Sequence, residues 1–228
     1  MGSDKSRDPD ARDDEARHEV FVPAFKIGRY PVTVGQWRQF VESAPYPEGN
    51  PYALWDPANH PVAHVSWHDA IAYCRLLTGE WRKAGKIDSD EIVRLPTEAE
   101  WEKAARGVEE RIWPWGNKFD ENKANIGMTG IFKTSAVGCF PAGASPYRVM
   151  DMAGNVWEWC SSKYEPYPYR SDDGRELTEG DEGRVVRGGS FNDSPWYVRC
   201  ACRFSGRPDV RYGGLGFRVV VVSPGSRF

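Results

Sequence analysis

Two stretches near the carboxyl end decide the fold: Arg184-Val-Val-Arg-Gly-Gly-Ser-Phe191 and Leu215-Gly-Phe-Arg-Val219. Their short apolar runs and glycines predict buried β-strands whose backbones pack closely. The residues between them, 192–214, are dense in Asn, Asp, Ser, Arg, Gly, Tyr and Cys. The ends are therefore expected to hold the fold, and the interior either carries chemistry or displays a surface.

Composition limits the classes of protein that remain. The chain has 228 residues and a formal net charge of −3, which gives no bulk attraction to nucleic acid or an anionic membrane. No apolar run is long enough to span a bilayer, and no secretory signal pattern is present. The first 18 residues are charged and poor in apolar side chains. We therefore expect residues 1–18 to be a solvated lead-in and residues 19–228 to form one domain.

The five cysteines indicate the compartment. They are Cys74, Cys139, Cys160, Cys200 and Cys202, and no two form a Cys-x-x-Cys pair. An odd number at wide spacing argues against a disulfide scaffold or a structural zinc site. A reducing, cytoplasmic location is the simplest expectation.

The secondary-structure signals divide the chain in two. Capping boxes at Thr33, Ser66 and Thr97 predict three helices, the second ending at Gly79. Residues 20–27 alternate loosely and predict a strand. After Gly107, turn residues interrupt short apolar runs, which is typical of short antiparallel strands joined by long loops. The class is therefore α+β, with helices in the first half and an irregular antiparallel sheet in the second.

A series of motifs in one order resembles the formylglycine-generating enzyme, or sulfatase-modifying factor, family. The motifs are Met1-Gly-Ser3, His18-Glu-Val20, Ile27-Gly-Arg-Tyr-Pro-Val-Thr33, Pro61-Val-Ala-His-Val-Ser-Trp67, Arg94-Leu-Pro-Thr-Glu-Ala-Glu-Trp101, Trp113-Pro-Trp-Gly116, Ala124-Asn-Ile126, Asp151-Met-Ala-Gly-Asn-Val-Trp-Glu-Trp159, Arg187-Gly-Gly-Ser190 and Leu215-Gly-Phe-Arg218. The resemblance implies a C-type-lectin-like fold. It does not fix the activity, because the family includes copper-dependent oxidases, iron-dependent sulfoxide synthases and non-enzymatic variable proteins of diversity-generating retroelements.

The copper oxidases of this family hold the metal with two cysteines five residues apart. Cys200 matches the second of these, but the first falls on Pro195, which has no side-chain ligand atom. Cys202 is an extra cysteine, and two cysteines two apart on a strand share a face, so chelation by Cys200 and Cys202 is geometrically possible. It is not the family's arrangement. We therefore expect no catalytic residue and no copper, with Cys200 as the alternative catalytic residue.

An iron site is also weakly indicated. His60, His64 and His68 recur at intervals of four, which would place them on one helix face. Pro61 and the extended pattern after it exclude such a helix before Ser66, so these histidines are expected to be ordinary polar positions.

The resemblance also implies a structural calcium ion. Family members hold one with the positions that match Asp151, Gly154, Val156 and Glu158, the middle two through backbone carbonyls. Calcium prefers several hard oxygen ligands of this kind. The alternative for the two acidic residues is loop capping and a salt bridge to an arginine.

The interior segment 192–214 matches the place where retroelement variable proteins are diversified. Mutating the adenines of asparagine codons yields Asn, Asp, Ser, Gly, Tyr, Phe, Cys, Val and Arg, but never Lys, Glu, Gln, Met or Trp. The segment lacks Lys, Glu, Gln and Met, and Trp196 is the exception. Aromatic and Arg side chains dominate binding energy at interfaces, while Ser, Gly and Asn adapt to the ligand.

We therefore predict a non-catalytic protein that displays a diversified surface to an unknown protein or surface ligand. The alternatives are a copper-dependent oxidase that acts on a protein cysteine and a pseudoenzyme domain with a fixed partner. The predicted contact residues are Asn192, Asp193, Ser194, Trp196, Tyr197, Cys202, Phe204, Ser205, Val210, Tyr212 and Gly213.

Overall fold

The computed structural model describes residues 1–43 and 50–223. Three α-helices lie in the first half of this range: α1 (Val34–Ser43), α2 (Trp67–Lys83) and α3 (Glu98–Arg106). The strands are β1 (Lys26–Ile27), β2 (Ile92–Arg94), β3 (Trp157–Lys163), β4 (Arg184–Arg187), β5 (Arg203–Gly206), β6 (Leu215–Phe217) and β7 (Val220–Val222). Short 3₁₀ turns occur at Asp13–Glu15, Pro51–Leu54, Glu121–Lys123, Gly127–Thr129 and Pro141–Gly143. The predicted α+β, C-type-lectin-like class is confirmed.

Side-chain caps start the helices where the sequence predicted them. The Ser66 Oγ accepts a hydrogen bond from the Asp69 backbone N–H, while the Asp69 carboxylate accepts one from the Ser66 N–H. Thr97 and Glu100 form the same reciprocal pair. The predicted end of α2 at Gly79 is wrong, because the helix continues to Lys83. A glycine inside a helix costs about 1 kcal/mol relative to alanine, which does not stop α2 from continuing, and nothing packed within 4 Å of the position requires a glycine there.

The strands form two sheets. One has the order β1-β7-β2 and the other the order β5-β4-β3-β6. Four of the five strand pairs in the described residues are antiparallel, as expected, and β3 and β6 pair in parallel with Trp157 opposite Leu215. The strand predicted over residues 20–27 is reduced to Lys26–Ile27.

The main core lies between α1, α2 and the four-stranded sheet, and tryptophans fill much of it. Trp37, Trp67, Trp101 and Trp159 are fully buried. The indole N–H groups of Trp67 and Trp159 donate to the carbonyls of Cys160 and Val65, at 2.9 and 3.0 Å. Buried indoles need such partners, and these bonds tie the sheet to α2 and to the loop before it.

The amino-terminal segment, residues 1–18, is not the solvated lead-in that its composition predicted. Asp8, Ala11 and Glu15 are buried. The two carboxylates are paired with Arg199, whose guanidinium lies 2.6 Å from Asp8 and 2.8 Å from Glu15. The prediction of a solvated segment is wrong because buried Asp8 and Glu15 are paired with Arg199, a residue far away in the sequence.

In the part of the chain that the structure describes, no helix has the length and apolar character needed to cross a membrane.

Candidate ligand-binding groove

An open groove of about 490 Å³ lies over one end of the four-stranded sheet. It is lined by Trp157, Val186, Ser190, Asn192, Asp193, Tyr197, Phe204, Ser205, Gly206, Tyr212, Gly214 and Leu215. Eight of these twelve residues belong to the segment 192–214. The fixed strands β3, β4 and β6 supply Trp157, Val186 and Leu215, so the sheet forms the floor and the interior segment forms the walls.

Three aromatic rings form one wall of the groove. The Phe204 ring lies 5.4 Å from the ring of Trp157 and 5.5 Å from that of Tyr197, both in edge-on geometry. Arg12 places its guanidinium 4.7 Å from the centre of the Phe204 ring. Such ring pairs and cation–π contacts each stabilise by about 0.5–1.5 kcal/mol. Phe204 is thus held in place although more than a third of its surface is exposed.

Asp193 anchors the groove and does not offer a free charge to it. Its Oδ2 accepts hydrogen bonds from the Trp157 indole N–H at 2.9 Å and from the Ser190 N–H and hydroxyl at 2.8 and 2.6 Å. The carboxylate therefore fixes the Trp157 ring and closes the turn after β4. Trp157 and Ser190 are groove residues that sequence reasoning missed, because their motifs were assigned to the scaffold.

The other predicted contact residues fall into three groups. Asn192, Trp196, Tyr197, Phe204, Ser205 and Tyr212 are exposed, although Trp196 lies outside the groove lining. Ser194, Val210 and Gly213 are partly buried: Val210 packs against the main core, and Gly213 faces the His64 ring. Cys202 is buried, so its prediction as a contact residue is wrong.

Cys200, the alternative catalytic residue, is a buried side chain of the second core cluster. Its carbonyl accepts a hydrogen bond from Arg187 at 2.7 Å. Burial raises the pKa of the Cys200 thiol to about 12, and burial also raises that of Cys202 to about 12. Neither thiol is ionised near neutral pH. Full burial in this apolar cluster suits Cys200 to the role of a small apolar core residue.

Buried arginines anchor the segment 192–214 and the strand before it. Arg203 forms two hydrogen bonds to Glu98, at 2.7 and 2.8 Å, and is stacked between the rings of Tyr164 and Tyr167. Arg187 donates to Glu102 at 2.6 Å. Together with the Arg199 pairs, these contacts fix β4, β5 and the turn between them. Their pairing partners lie in α3 and the amino-terminal segment, a long-range match that a single sequence does not reveal.

The loop predicted to bind calcium fits the ion only in part. Both oxygens of Glu158 accept bonds from Arg218, at 2.6 and 2.7 Å, and Oε2 also accepts the Trp101 indole N–H at 2.7 Å. Asp151 accepts one bond, from the Gly138 N–H at 2.7 Å, and burial raises the pKa of its carboxyl to about 6. Asp151 is thus the acid that a cation would stabilise, whereas Glu158 already has its counter-charge.

No three His, Cys, Asp or Glu side chains within residues 1–43 and 50–223 are grouped so that they could hold a metal ion by themselves. A calcium ion would depend on Asp151 together with backbone carbonyls, for which the sequence predicts Gly154 and Val156.

The sequence profile of the sulfatase-modifying factor enzyme 1-like domain matches residues 1–222. The chain therefore belongs to this family. It is 37% identical over 207 residues to the formylglycine-generating enzyme of Mus musculus, covering 82% of the chain and 49% of that enzyme. It thus spans about half the length of that relative. It is 33% identical to the inactive C-alpha-formylglycine-generating enzyme 2 of Mus musculus, covering 96% of the chain and 81% of the relative.

Two solved structures share the fold. Treponema denticola variable protein 1 superimposes with a TM-score of 0.71 at 28% identity, covering 89% of this chain and 86% of that protein. PvdO from Pseudomonas aeruginosa superimposes with a TM-score of 0.80 at 26% identity, covering 97% and 89%. The proteins similar to this chain thus include one named as variable, one named as a formylglycine-generating enzyme and one named as inactive.

Proposed function

We propose that this protein is a non-catalytic ligand-binding protein whose groove is built from a diversified segment, residues 192–214. The observation that carries the proposal is the groove itself: exposed Asn, Tyr, Phe and Ser side chains of that segment surround an aromatic-walled cavity of about 490 Å³. Similarity to Treponema denticola variable protein 1 supports the same interpretation.

The burial pattern along the segment separates residues available for binding from residues that hold the core. Asn192, Tyr197, Phe204, Ser205 and Tyr212 are exposed, whereas the five consecutive residues 198–202 are buried. Exposed positions can change without altering the core, since most surface substitutions shift stability by less than about 0.5 kcal/mol. A surface of this kind can be varied while the fold persists.

A pair of libraries tests the proposal. In the first, the five exposed positions are randomised in the full chain displayed on yeast, with lysozyme as the selection target. In the second, residues 198–202 are randomised. We expect the first library to display at near wild-type level and to yield lysozyme binders, and the second to lose display in most clones. If the first library loses display or yields no binder, the proposal is overturned.

The second candidate is a copper-dependent oxidase acting through Cys200, which the similarity to the formylglycine-generating enzyme favours. Pro195 stands at the position of the other copper cysteine and has no side-chain ligand atom, which argues against it. The test is oxygen uptake with copper(I) and a cysteine-containing peptide. Turnover that disappears in Cys200→Ser would establish the oxidase. The similarity to the inactive relative also allows a pseudoenzyme domain with a fixed partner. A template repeat and a reverse transcriptase beside the gene would be expected for a diversified protein and not for such a pseudoenzyme.

A further inference from the structure

A second group of aromatic side chains, of which two are exposed and one is partly buried, lies beside the groove but outside the segment 192–214. We call it the aromatic ridge and define it as Tyr52, Trp55 and His64. Trp55 is 73% exposed and Tyr52 is 46% exposed. Their rings pack edge to face with 4.2 Å between centres. A largely exposed tryptophan held in position by a neighbouring ring is typical of an interaction site.

The ridge is physically joined to the groove through His64. The His64 ring lies 5.5 Å from that of Tyr52. On its other side, a Cβ on Gly213 would lie only 3.1 Å from His64 Nε2, and the His64 N–H donates to the Tyr212 carbonyl at 2.9 Å. His64 adopts a left-handed backbone with φ of 58°, which turns the chain between the two sites. Tyr212, 62% exposed, is therefore the boundary between ridge and groove.

Asn50 braces the loop that carries the ridge. Its side-chain oxygen accepts a hydrogen bond from the Tyr52 N–H at 3.1 Å, and its side-chain N–H₂ donates to the His64 carbonyl at 3.3 Å. The ridge is thus attached to the turn that holds Tyr212 and keeps a fixed position relative to the groove. Its residues lie outside 192–214 and would stay constant while that segment varies.

We propose that the ridge and the groove together form one binding surface for a folded protein with an uncharged, partly apolar face. This rests on the proposed function of the groove. A fully accessible aromatic side chain has a surface of about 150–250 Å². Five rings are between 37% and 73% exposed, so together they present on the order of 500 Å². They are Tyr52, Trp55, Tyr197, Phe204 and Tyr212. That is more than half of the roughly 800 Å² per partner of a standard protein–protein interface.

The chemistry of this surface favours such a partner over the alternatives. The ridge and the aromatic wall carry no carboxylate, and the Arg12 guanidinium on the Phe204 ring is paired with Asp14 at 2.6 Å. Asp193 is already held by three internal hydrogen bonds. A small molecule that fills the groove would leave Trp55 uncovered. A second copy of this chain is disfavoured because a surface whose residues change cannot keep a self-complementary contact.

The experiment uses the lysozyme binders selected from the exposed-position library. Trp55→Ala is introduced into at least ten independent clones, and Phe21→Ala, which removes a ring that is 85% exposed at a different site, is the control. We expect Trp55→Ala to weaken lysozyme binding at least tenfold in most clones and Phe21→Ala to change it less than twofold. Melting temperatures should stay within about 2 °C of the parent clones.

If Trp55→Ala leaves lysozyme binding unchanged in most clones, the ridge is not part of the binding surface, and the proposed function of the groove still stands. Failure to select any clone would instead overturn the proposed function. Analytical ultracentrifugation of the wild-type chain tests whether a second copy binds this surface. We expect a monomer. A dimer that Trp55→Ala dissociates would overturn the proposal, because the surface would then bind a second copy of the chain.

Discussion

At the scale of single residues, the aromatic side chains of this protein divide by burial into two roles. Trp101 is fully buried, and its indole N–H is bonded to Glu158. Tyr212 is 62% exposed, and its backbone carbonyl accepts a hydrogen bond from His64. The same residue class thus holds the core in one place and displays a surface in the other.

We predict that Tyr212→Ala changes the free energy of unfolding by no more than about 0.5 kcal/mol, while Trp101→Ala lowers it by about 3–5 kcal/mol. The reason is that only the second change leaves a cavity in the core and removes a buried hydrogen bond to Glu158. Urea denaturation followed by circular dichroism measures both values. A loss of more than 2 kcal/mol in Tyr212→Ala would place that ring in the core.

A second residue-scale prediction concerns Asp151. We expect millimolar Ca²⁺ to raise the melting temperature by several degrees relative to EGTA, because a ligand at 100 times its Kd stabilises by about 2.7 kcal/mol. The shift should vanish in Asp151→Asn, and Mg²⁺ at the same concentration is the control. No Ca²⁺-dependent shift in the wild type would mean that Arg218 alone balances the charge of this loop.

At the scale of elements, the segment 192–214 is secured by arginines that are spaced along it. Arg199 reaches the amino-terminal segment and Arg203 reaches α3, and both are buried. Arg207, in the same segment, is 78% exposed at its side chain and pairs with Asp209 on the surface. Nothing in the local sequence separates Arg199 and Arg203 from Arg207. Their burial and their ion-pair partners in the structure separate them.

The Arg199 and Arg207 side chains give a matched pair of tests. We expect Arg199→Met to lower the free energy of unfolding by about 3–5 kcal/mol, since it leaves Asp8 buried without its cationic partner and Glu15 with only Arg12, at 3.9 Å. Arg207→Met should cost no more than about 1 kcal/mol, as exposed pairs contribute little. Thermal and urea denaturation of the two variants check this. Equal effects would contradict the anchoring role of the amino-terminal segment.

At the scale of the whole molecule, buried ion pairs join α3, the amino-terminal segment and the four-stranded sheet. Glu102 is at the centre, with Arg187 on one side and Arg106 on the other, at 2.6 and 2.9 Å. Burial opposes ionisation of Glu102, but the charges of Arg187 and Arg106 outweigh it and lower the pKa of its carboxyl to about 2.

This arrangement predicts acid sensitivity. The folded-state pKa of Glu102 lies below its ordinary value of 4.5, so its stabilisation is fully present above pH 4.5 and is lost as the pH falls toward 2. The loss is on the order of 3 kcal/mol. Unfolding free energies measured between pH 6 and 2.5 should fall more steeply in the wild type than in Glu102→Gln. Equal slopes would show that other carboxylates carry the acid response.

The sequence determined much of this molecule because its signals are local or family-wide. The capping residues at Ser66 and Thr97 fix where α2 and α3 begin, since each hydrogen bond closes within three residues. The Arg-Gly-Gly-Ser and Gly-Phe-Arg motifs placed β4 and β6, and the ordered motifs identified the fold. The residue types of 192–214 predicted a displayed surface, and most of the exposed groove residues were named from them.

Only the tertiary structure decided which residues of that segment face outward and what supports them. Cys202 is buried although Phe204, two residues further on, is exposed, and Arg203 between them is paired with Glu98 of α3. The amino-terminal segment is packed because its acids meet Arg199, nearly 200 positions away. The ridge at Tyr52 and Trp55 adjoins the groove through His64 and Gly213. Each of these depends on which distant residues meet, and local patterns in a single sequence carry no record of such pairings.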